Sequence, residues 1–283
     1  MRMMTATLAA ALGFLAQDPP KTDIGWNLKS GQKVRYEIEK ATLIHGTMGT
    51  VDMRMKLGLV LEAGERDADG KIPLKITIDR VAMSGKDDKS SEDYDTDKDK
   101  AEAKNPAIQI AAGCLNGHFE AKLSKQGAMS DIKGLKEVVE KSVQGVAEIK
   151  AMGDDKAAAR FTESFDQLFQ EGFNVAAGTA LAKGSSWDSS PGTVVFGNGE
   201  APLKIKSTVK EIRPGEAVIG RALEFDFSKD ERNPDGKGSG TGEVIWSTER
   251  GFPISGQWQV HVTTARGNTE TTYVLKLAPR EKK

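Results

Sequence analysis

The sequence predicts a mainly β protein of the α+β class, built as one large curved antiparallel sheet with about two helices packed in or over its concave face. Most of the chain alternates apolar and polar residues at period two, and short turns rich in Gly and Asp separate the alternating runs. About nine or ten strands of this kind curl strongly through their natural twist. We predict an open half-barrel; a closed barrel and a two-layer sandwich with the helices at one end are the alternatives.

Composition and charge exclude some classes of partner. The chain has 283 residues and a formal net charge of −1, and it is 38% hydrophobic and 29% charged. It is therefore long enough to bury a sizeable core. The balanced charge, without a basic stripe, argues against nucleic acid and against an anionic membrane surface as partners. Neither group of strands has enough members to close a core alone, so residues 25–279 are predicted to form a single half-barrel domain.

Residues 1–16 have the pattern of a secretory signal peptide. Arg2 precedes an apolar run that is too short to span a bilayer as a helix. We predict cleavage after Ala16, a linker at 17–24, and export to the periplasm or to the outside of the cell. An uncleaved apolar helix is the alternative, and no later segment of the sequence is predicted to span a membrane.

Three amphipathic strands follow the linker and are predicted to form an antiparallel meander. They lie near 33–39, at 51–61 and at 71–83, and each has one apolar face. In the second strand, the positions that we expect to face the core include Met53, Met55, Leu57 and Leu59.

The segment 86–104 is almost wholly polar, with eight acids, five bases and one aromatic side chain, Tyr94. This composition predicts a solvated, mobile loop. Carboxylates alternate along part of it in a spacing that resembles calcium ligands, but the glycine and the terminal glutamate of an EF-hand loop are missing. We therefore predict no metal site in this loop.

A helical insert is predicted over 132–173. Its first helix has apolar residues at three- and four-residue steps from Ile132 to Ile149, and Gly153 separates it from a second helix near 155–172. The apolar stripe of the second helix includes Phe161, Phe165 and Phe169.

The last third of the chain returns to strands whose apolar positions share one face. Arg221 interrupts one of these faces, while Trp258 and Tyr273 lie on apolar faces near the C-terminal end. The glycine-rich segment 236–242 is predicted as a flexible hairpin rather than a phosphate loop, because a strand and not a helix follows it. Trp187 lies in a polar turn and is expected to cap an open end of the sheet; a sugar-binding cleft is the alternative.

No catalytic, metal-binding or cofactor-binding signature stands out. The three histidines lack the spacing of zinc ligands, and no G-x-S-x-G elbow is present. The S-x-x-K matches at 130–133 and 207–210 lack the supporting motifs of serine acyl-enzymes. Cys114, the single cysteine, lies in an apolar stretch and is predicted to be a buried, inert thiol. We predict a protein that is not an enzyme and needs no cofactor; an unrecognised hydrolase is the alternative class.

Several stretches together resemble a family of uncharacterised exported bacterial proteins. In order, they are "WNLKSGQKVRYEIE", "EDYDT", "LSKQGAMSDIKG", "LAKGSSWDSS" and "GTGEVIWSTERGFP", and they span most of residues 26–277. These are turn and strand signatures, so the resemblance implies a fold and assigns no catalytic residue. More distantly, the architecture is similar to periplasmic lipoprotein carriers and related half-barrels, in which a curved sheet and a helical lid enclose an apolar cavity for acyl chains.

Two functions are compatible with these features. The first is an exported binding module that holds a lipid, a lipidated protein or another apolar ligand in the concave face of its sheet. The candidate wall residues are Met53, Met55, Leu57, Leu59, Phe161, Phe165, Phe169 and Trp258, because flexible Met and Phe side chains suit adaptable pockets. The second is a structural or protein-interaction module of the cell envelope, with a filled core and its function on loops such as 86–104.

Overall fold

The structure is a computed structural model of the chain. It describes residues 21–47, 49–86, 91–99, 104–144, 146, 159, 162, 168, 172–196, 199–226, 236–264 and 267–278. The predicted signal peptide and the predicted stripe of Phe161, Phe165 and Phe169 lie outside the described residues.

The described residues form fourteen strands and two helices. In chain order these are β1 (Thr22–Ile24), β2 (Lys33–Gly46), β3 (Gly49–Ala63), β4 (Ile72–Lys86), β5 (Ser91–Asp95), α1 (Pro106–Gly113), β6 (His118–Leu123), β7 (Met129–Lys133), α2 (Leu135–Gln144), β8 (Thr179–Leu181), β9 (Ser186–Phe196), β10 (Gly199–Arg213), β11 (Glu216–Asp226), β12 (Lys237–Ser247), β13 (Phe252–Thr264) and β14 (Gly267–Ala278). Among the described helices, none combines the length and the apolar character needed to cross a bilayer.

One twelve-stranded antiparallel sheet contains every described strand except β1 and β8, which pair with each other. Its strands follow the order β7, β6, β4, β3, β2, β14, β13, β12, β11, β10, β9, and β5 pairs with the far end of β4. The pairing of β14 with β2 joins the C-terminal strands to the N-terminal meander. The sheet does not close into a barrel, because β7 and β9 end it on opposite sides. The predicted open, mainly β architecture is confirmed, with more strands than the nine or ten expected.

The two helices pack against each other and against the first half of the sheet. Helix α1 contacts β4 and α2 contacts β6. The Asn105 side chain caps α1 by accepting a hydrogen bond from the Ala107 N–H, and Pro106 begins the helix. Cys114, at the end of α1, is buried with its Sγ 3.4 Å from Ser142 Oγ of α2. Burial raises the pKa of this thiol.

Three local predictions are wrong. The helical insert does not begin at Ile132, which belongs to β7; a turn at Gly134, with φ of 86°, separates that strand from α2. The segment 86–104 is not a loop throughout, because β5 pairs with β4. The glycine-rich segment 236–242 is not a hairpin, because residues from 237 onward form β12 between β11 and β13. The second predicted helix lies mostly outside the described residues, although positions 159, 162, 168, 172 and 173 are helical.

The core lies on one face of the sheet, which we call the inner face. At one end of this face Trp26 is fully buried, and its Nε1–H donates to the Phe173 carbonyl at 3.1 Å. Its ring packs edge-on against the rings of Phe173 and Trp246, at centroid distances of 5.7 and 5.6 Å.

The prediction that Trp187 lies in a polar turn is wrong. This residue lies in β9, and its partly buried side chain packs against the core.

Candidate functional site

Along β2, β3 and β4 the inner face changes from a closed core to an open apolar surface. The row that pairs Ile38, Leu57 and Val81 across the three strands is at most 1% exposed. The next row is only partly buried at Met55, and Met53 in the row beyond it is 42% exposed. The far ends of these strands therefore present apolar side chains that the core covers only in part at Met55 and Met83 and leaves exposed at Met53.

We call this surface the methionine face. Its members share the inward register at the ends of the strands nearest the β2–β3 turn, and they are Ile44, Val51, Met53, Met55 and Met83. Met53 has the expected register, but the prediction that it packs in the core is wrong. Its side chain stays exposed because the described helices pack over β4 and β6 rather than over this end of β3.

A β-bulge keeps the methionine face continuous across β3 and β4. Asp79 and Arg80 of β4 lie opposite the single residue Gly58 of β3, so the alternation of β4 changes phase at this point. As a result Met83 pairs with Met55 on the inner face. Without the extra residue, every later side chain of β4 would point to the other face.

Charged groups on the outer face hold β5 beside the methionine face. Arg80 donates two hydrogen bonds to the Asp95 carboxylate, from Nη2 at 2.7 Å and from Nε at 3.2 Å. The same guanidinium lies 3.1 Å from Asp97 Oδ2 and 3.4 Å from Glu37 Oε1. The hydrogen bond from Arg80 lowers the pKa of Asp95, although desolvation acts in the opposite direction. This clamp places Tyr94 in register with the methionine face.

An open depression of about 450 Å³ lies on the outer face of the same strands, opposite the methionine face. Most of its lining has the outward register, including Glu39, Arg54, Lys56 and Asp93, although Met55, Met83 and Tyr94 also contribute. Its volume lies within the range of small-molecule sites. It differs from the apolar cavity expected between sheet and helices, because it is open and partly lined by charge.

A row of stacked side chains borders the methionine face on the side of the C-terminal strands. Arg221 Cζ lies 5.1 Å from the centroid of the Trp258 ring, and the Trp258 and Tyr273 rings stack at 5.3 Å with an interplanar angle of 13°. Lys40 Nζ lies 5.4 Å from the Tyr273 centroid. Both cations thus sit on aromatic faces, a geometry stabilised by the ring quadrupoles. We call Arg221, Trp258, Tyr273 and Lys40 the stacked row.

Gly242 makes the stacked row possible. Arg221 of β11 pairs with Gly242 of β12, which in turn pairs with Trp258 of β13. Strands two apart in a sheet are about 9.5 Å apart, so the guanidinium reaches the indole only across a position without a side chain. A Cβ at Gly242 would collide with the Trp258 side chain and with the Gln257 carbonyl oxygen.

The structure brings together several of the side chains that the sequence singled out. Leu57, Leu59 and Trp258 are buried on the inner face, and Met55 lies partly buried beside them. Lys40, Met83, Tyr94 and Tyr273 join them here, and none of these was a candidate from the sequence. Two features of the sequence indicate charged side chains on the inner face. Lys40 falls in the same alternation as the apolar residues of β2, and Arg221 interrupts the apolar face of β11.

Comparisons with known proteins give a family and one architectural likeness, and none of them gives an activity. Residues 69–253 match the sequence profile of DUF6263, a family of unknown function. No curated protein matches the chain. A structure of lipovitellin described as showing lipid–protein interactions is similar over 91% of this chain, at 9% identity and a TM-score of 0.54. The chain spans about a quarter of that protein, since the match covers 26% of its length.

Two further structures match with a TM-score of only 0.22. One is DynF from the dynemicin biosynthesis pathway of Micromonospora chersina, at 6% identity over 92% of this chain and 86% of that one. The other is a DUF1329 family protein from Desulfovibrio piger, at 7% identity over 89% and 88%. Neither bears on the architecture at that level of similarity.

Proposed function

The chain belongs to DUF6263, the family of unknown function whose profile matches residues 69–253. From the geometry of its sheet we propose that it is an exported, non-enzymatic protein that binds the acyl chain of a lipid or of a lipidated protein. The proposed binding surface is the methionine face together with Tyr94. Export is proposed from the signal-like pattern of residues 1–16.

The observation that carries this proposal is the change in burial along β3. Leu57, Leu59 and Leu61 are fully buried, whereas Met55 is partly buried and Met53 is 42% exposed on the same face. An apolar strand face that continues past the edge of its core leaves hydrophobic area in contact with water, which marks a surface that another molecule can cover. Unbranched methionine side chains adapt to apolar partners of irregular shape.

The likeness to lipovitellin supports the same ligand class. The structure of that protein is described as showing lipid–protein interactions, and its similarity covers 91% of this chain at a TM-score of 0.54. At 9% identity the likeness concerns architecture, so no contact residue is transferred. The placement of an acyl chain on the methionine face rests on the burial pattern of this chain.

Two matched variants test the proposed surface. Met53→Gln removes apolar area from the methionine face, while Arg54→Gln introduces the same side chain at the next residue, on the opposite face, where the native side chain is 62% exposed. We expect Met53→Gln, combined with Met55→Gln, to weaken binding of the uncharged fluorophore phenylnaphthylamine by about tenfold. Arg54→Gln should leave binding unchanged.

Mass spectrometry of the native protein supplies the second measurement. Protein purified from its own compartment should carry an excess mass that organic solvent extracts as lipid, and the double methionine variant should carry less. If wild type binds neither lipid nor fluorophore, the alternative of an interaction module with a filled core is favoured instead.

A further inference from the structure

Met53 is the methionine of the methionine face that solvent reaches most easily. Among the described residues it is the most exposed methionine, at 42%. Met55 and Met83 are partly buried against the core, and Met129 is buried. The backbone of Met53 lies inside the sheet, because β2 and β4 pair with β3 on its two sides. The exposed area therefore belongs mainly to the side chain, whose outer end is the thioether.

The space beside the Met53 side chain is open on the side of β4. Gly85 is the direct partner of Met53 on that strand and has the same inward register. A Cβ placed at Gly85 would meet no atom of the described residues within 4 Å. A small reagent can therefore approach the Met53 side chain over Gly85, and an oxygen atom added to the sulfur has room beside it.

A thioether is an apolar group that an oxidant converts into a polar one. With hydrogen peroxide, the sulfur attacks one peroxide oxygen and the O–O bond breaks as the S–O bond forms. The released hydroxide takes the proton of the transferred oxygen and leaves as water. Sulfur is oxidised and the peroxide is reduced, so the products are one sulfoxide and one water. Methionine sulfoxide reductases reverse the change.

We propose that Met53 is an oxidation site at which a peroxide lowers the affinity of the methionine face for acyl chains. This inference rests on the proposed function, because it concerns the regulation of the same surface. An acyl chain that covers the sulfoxide must remove water from a polar group without supplying a hydrogen bond in return. Because the added oxygen enters the open space beside Gly85, the fold is retained. Reduction restores the thioether and with it the affinity.

Peptide mapping by tandem mass spectrometry measures the modification itself. The full chain is treated with increasing concentrations of hydrogen peroxide, and each methionine is scored for the mass of one added oxygen atom. Met53 should be modified at a lower peroxide concentration than the other described methionines, because the peroxide must reach the sulfur. Earlier modification of Met129, or equal modification of all of them, would overturn the assignment of this site.

Phenylnaphthylamine binding measures the effect on the proposed ligand surface. Protein oxidised at Met53 should bind this fluorophore about threefold more weakly, half of the free-energy effect expected for the double glutamine variant, and the reductase should restore the affinity. Met53→Leu should bind as wild type does and should lose the sensitivity to peroxide. Met55→Leu, at the next inward position of β3, is the matched control and should stay sensitive. Met53→Gln should bind as the oxidised protein does, without peroxide.

The possible outcomes separate the two proposals. If Met53→Leu still loses affinity on treatment with peroxide, the effect comes from another residue, so the assignment to Met53 fails while the apolar surface stands. If wild type binds no fluorophore before oxidation, the proposed function fails, and the regulatory role fails with it. Circular dichroism of the oxidised protein checks the fold. A loss of the β-sheet signal together with binding would show that oxidation disrupts the core, which would overturn a local effect at Met53.

Discussion

The packing of the inner face depends on single positions that lack a side chain. Gly242 allows Arg221 and Trp258 to meet across β12, and at Gly238 a Cβ would run into the Phe225 ring. Glycine normally weakens a strand because it has no side chain to pack. Here the neighbouring strands supply the side chains that fill the space.

We expect Gly242→Ala to destabilise the protein by about 1–3 kcal/mol, the usual effect of overpacking a filled core. The added methyl group must displace the Trp258 side chain or the backbone of β13. Gly85→Ala is the matched control, because a Cβ at this position of β4 meets nothing within 4 Å. Urea denaturation measures both variants. An equal effect of the two changes would contradict the account given for Gly242.

At the scale of the element, the clamp between Arg80 and Asp95 joins β5 to β4 on the outer face of the sheet. The strand has five residues; Glu92 and Tyr94 have the inward register, and the carboxylates of Asp93 and Asp95 lie on the outer face. Beyond the strand, Thr96 N–H donates to the Val81 carbonyl at 2.9 Å, and the Thr96 hydroxyl accepts from the Val81 N–H. Charge on one face thus holds an aromatic residue on the other.

We expect acid to release β5. The pKa of Asp95 is lower in the folded protein than in the unfolded chain, mainly through the hydrogen bond from Arg80. The resulting stabilisation is fully present above the unfolded value of about 3.9 and is lost as the pH falls through the lower folded value. Hydrogen exchange of the Thr96 amide, corrected for its intrinsic pH dependence, should therefore accelerate in that acidic range. Unchanged protection there would contradict the clamp.

A variant isolates the same clamp at neutral pH. Arg80→Met should accelerate exchange in β5 by at least about tenfold, since each hydrogen bond to a charged group contributes roughly 1.5–3 kcal/mol. Lys98→Met is the control, because its side chain is 76% exposed and its Nζ lies 3.6 Å from Asp95. A surface pair of this kind contributes little. Equal acceleration in both variants would show that Arg80 is not the anchor.

The sequence predicts a strand and its buried face correctly where the alternation of apolar and polar residues is sufficient. It fails where a strand or the burial of a side chain depends on a partner elsewhere in the chain. Leu57 and Leu59 follow the period-two pattern into the core, and the structure confirms them. In 86–104 the composition predicts a solvated loop, but Arg80 from β4 supplies a counter-charge that no local pattern reveals. Met53 has the same alternation as Leu57, and its exposure depends on where the helices pack, which is a property of the tertiary structure.

At the scale of the whole molecule, the pairing of β14 with β2 links the two groups of strands. This ladder runs from Gly46 opposite Gly267 to Arg35 opposite Ala278. The core continues across it, because Trp26 from the N-terminal end packs against Trp246 of β12 and Tyr36 of β2 donates its hydroxyl to the Pro253 carbonyl at 2.8 Å. Neither group of strands keeps its buried surface if the other unfolds.

We therefore expect one cooperative unfolding transition, although chains of this length often populate intermediates. Leu59→Ala in β3 and Leu223→Ala in β11 each remove a side chain that is at most 1% exposed, one from each group of strands. Each should lower the free energy of unfolding by about 2–5 kcal/mol. Tryptophan fluorescence, which reports largely on the C-terminal strands, and far-ultraviolet circular dichroism should give coincident midpoints for wild type and shift together in both variants. Separate midpoints, or a variant that shifts one signal alone, would show that the two groups of strands unfold independently and that the β14–β2 ladder does not couple them.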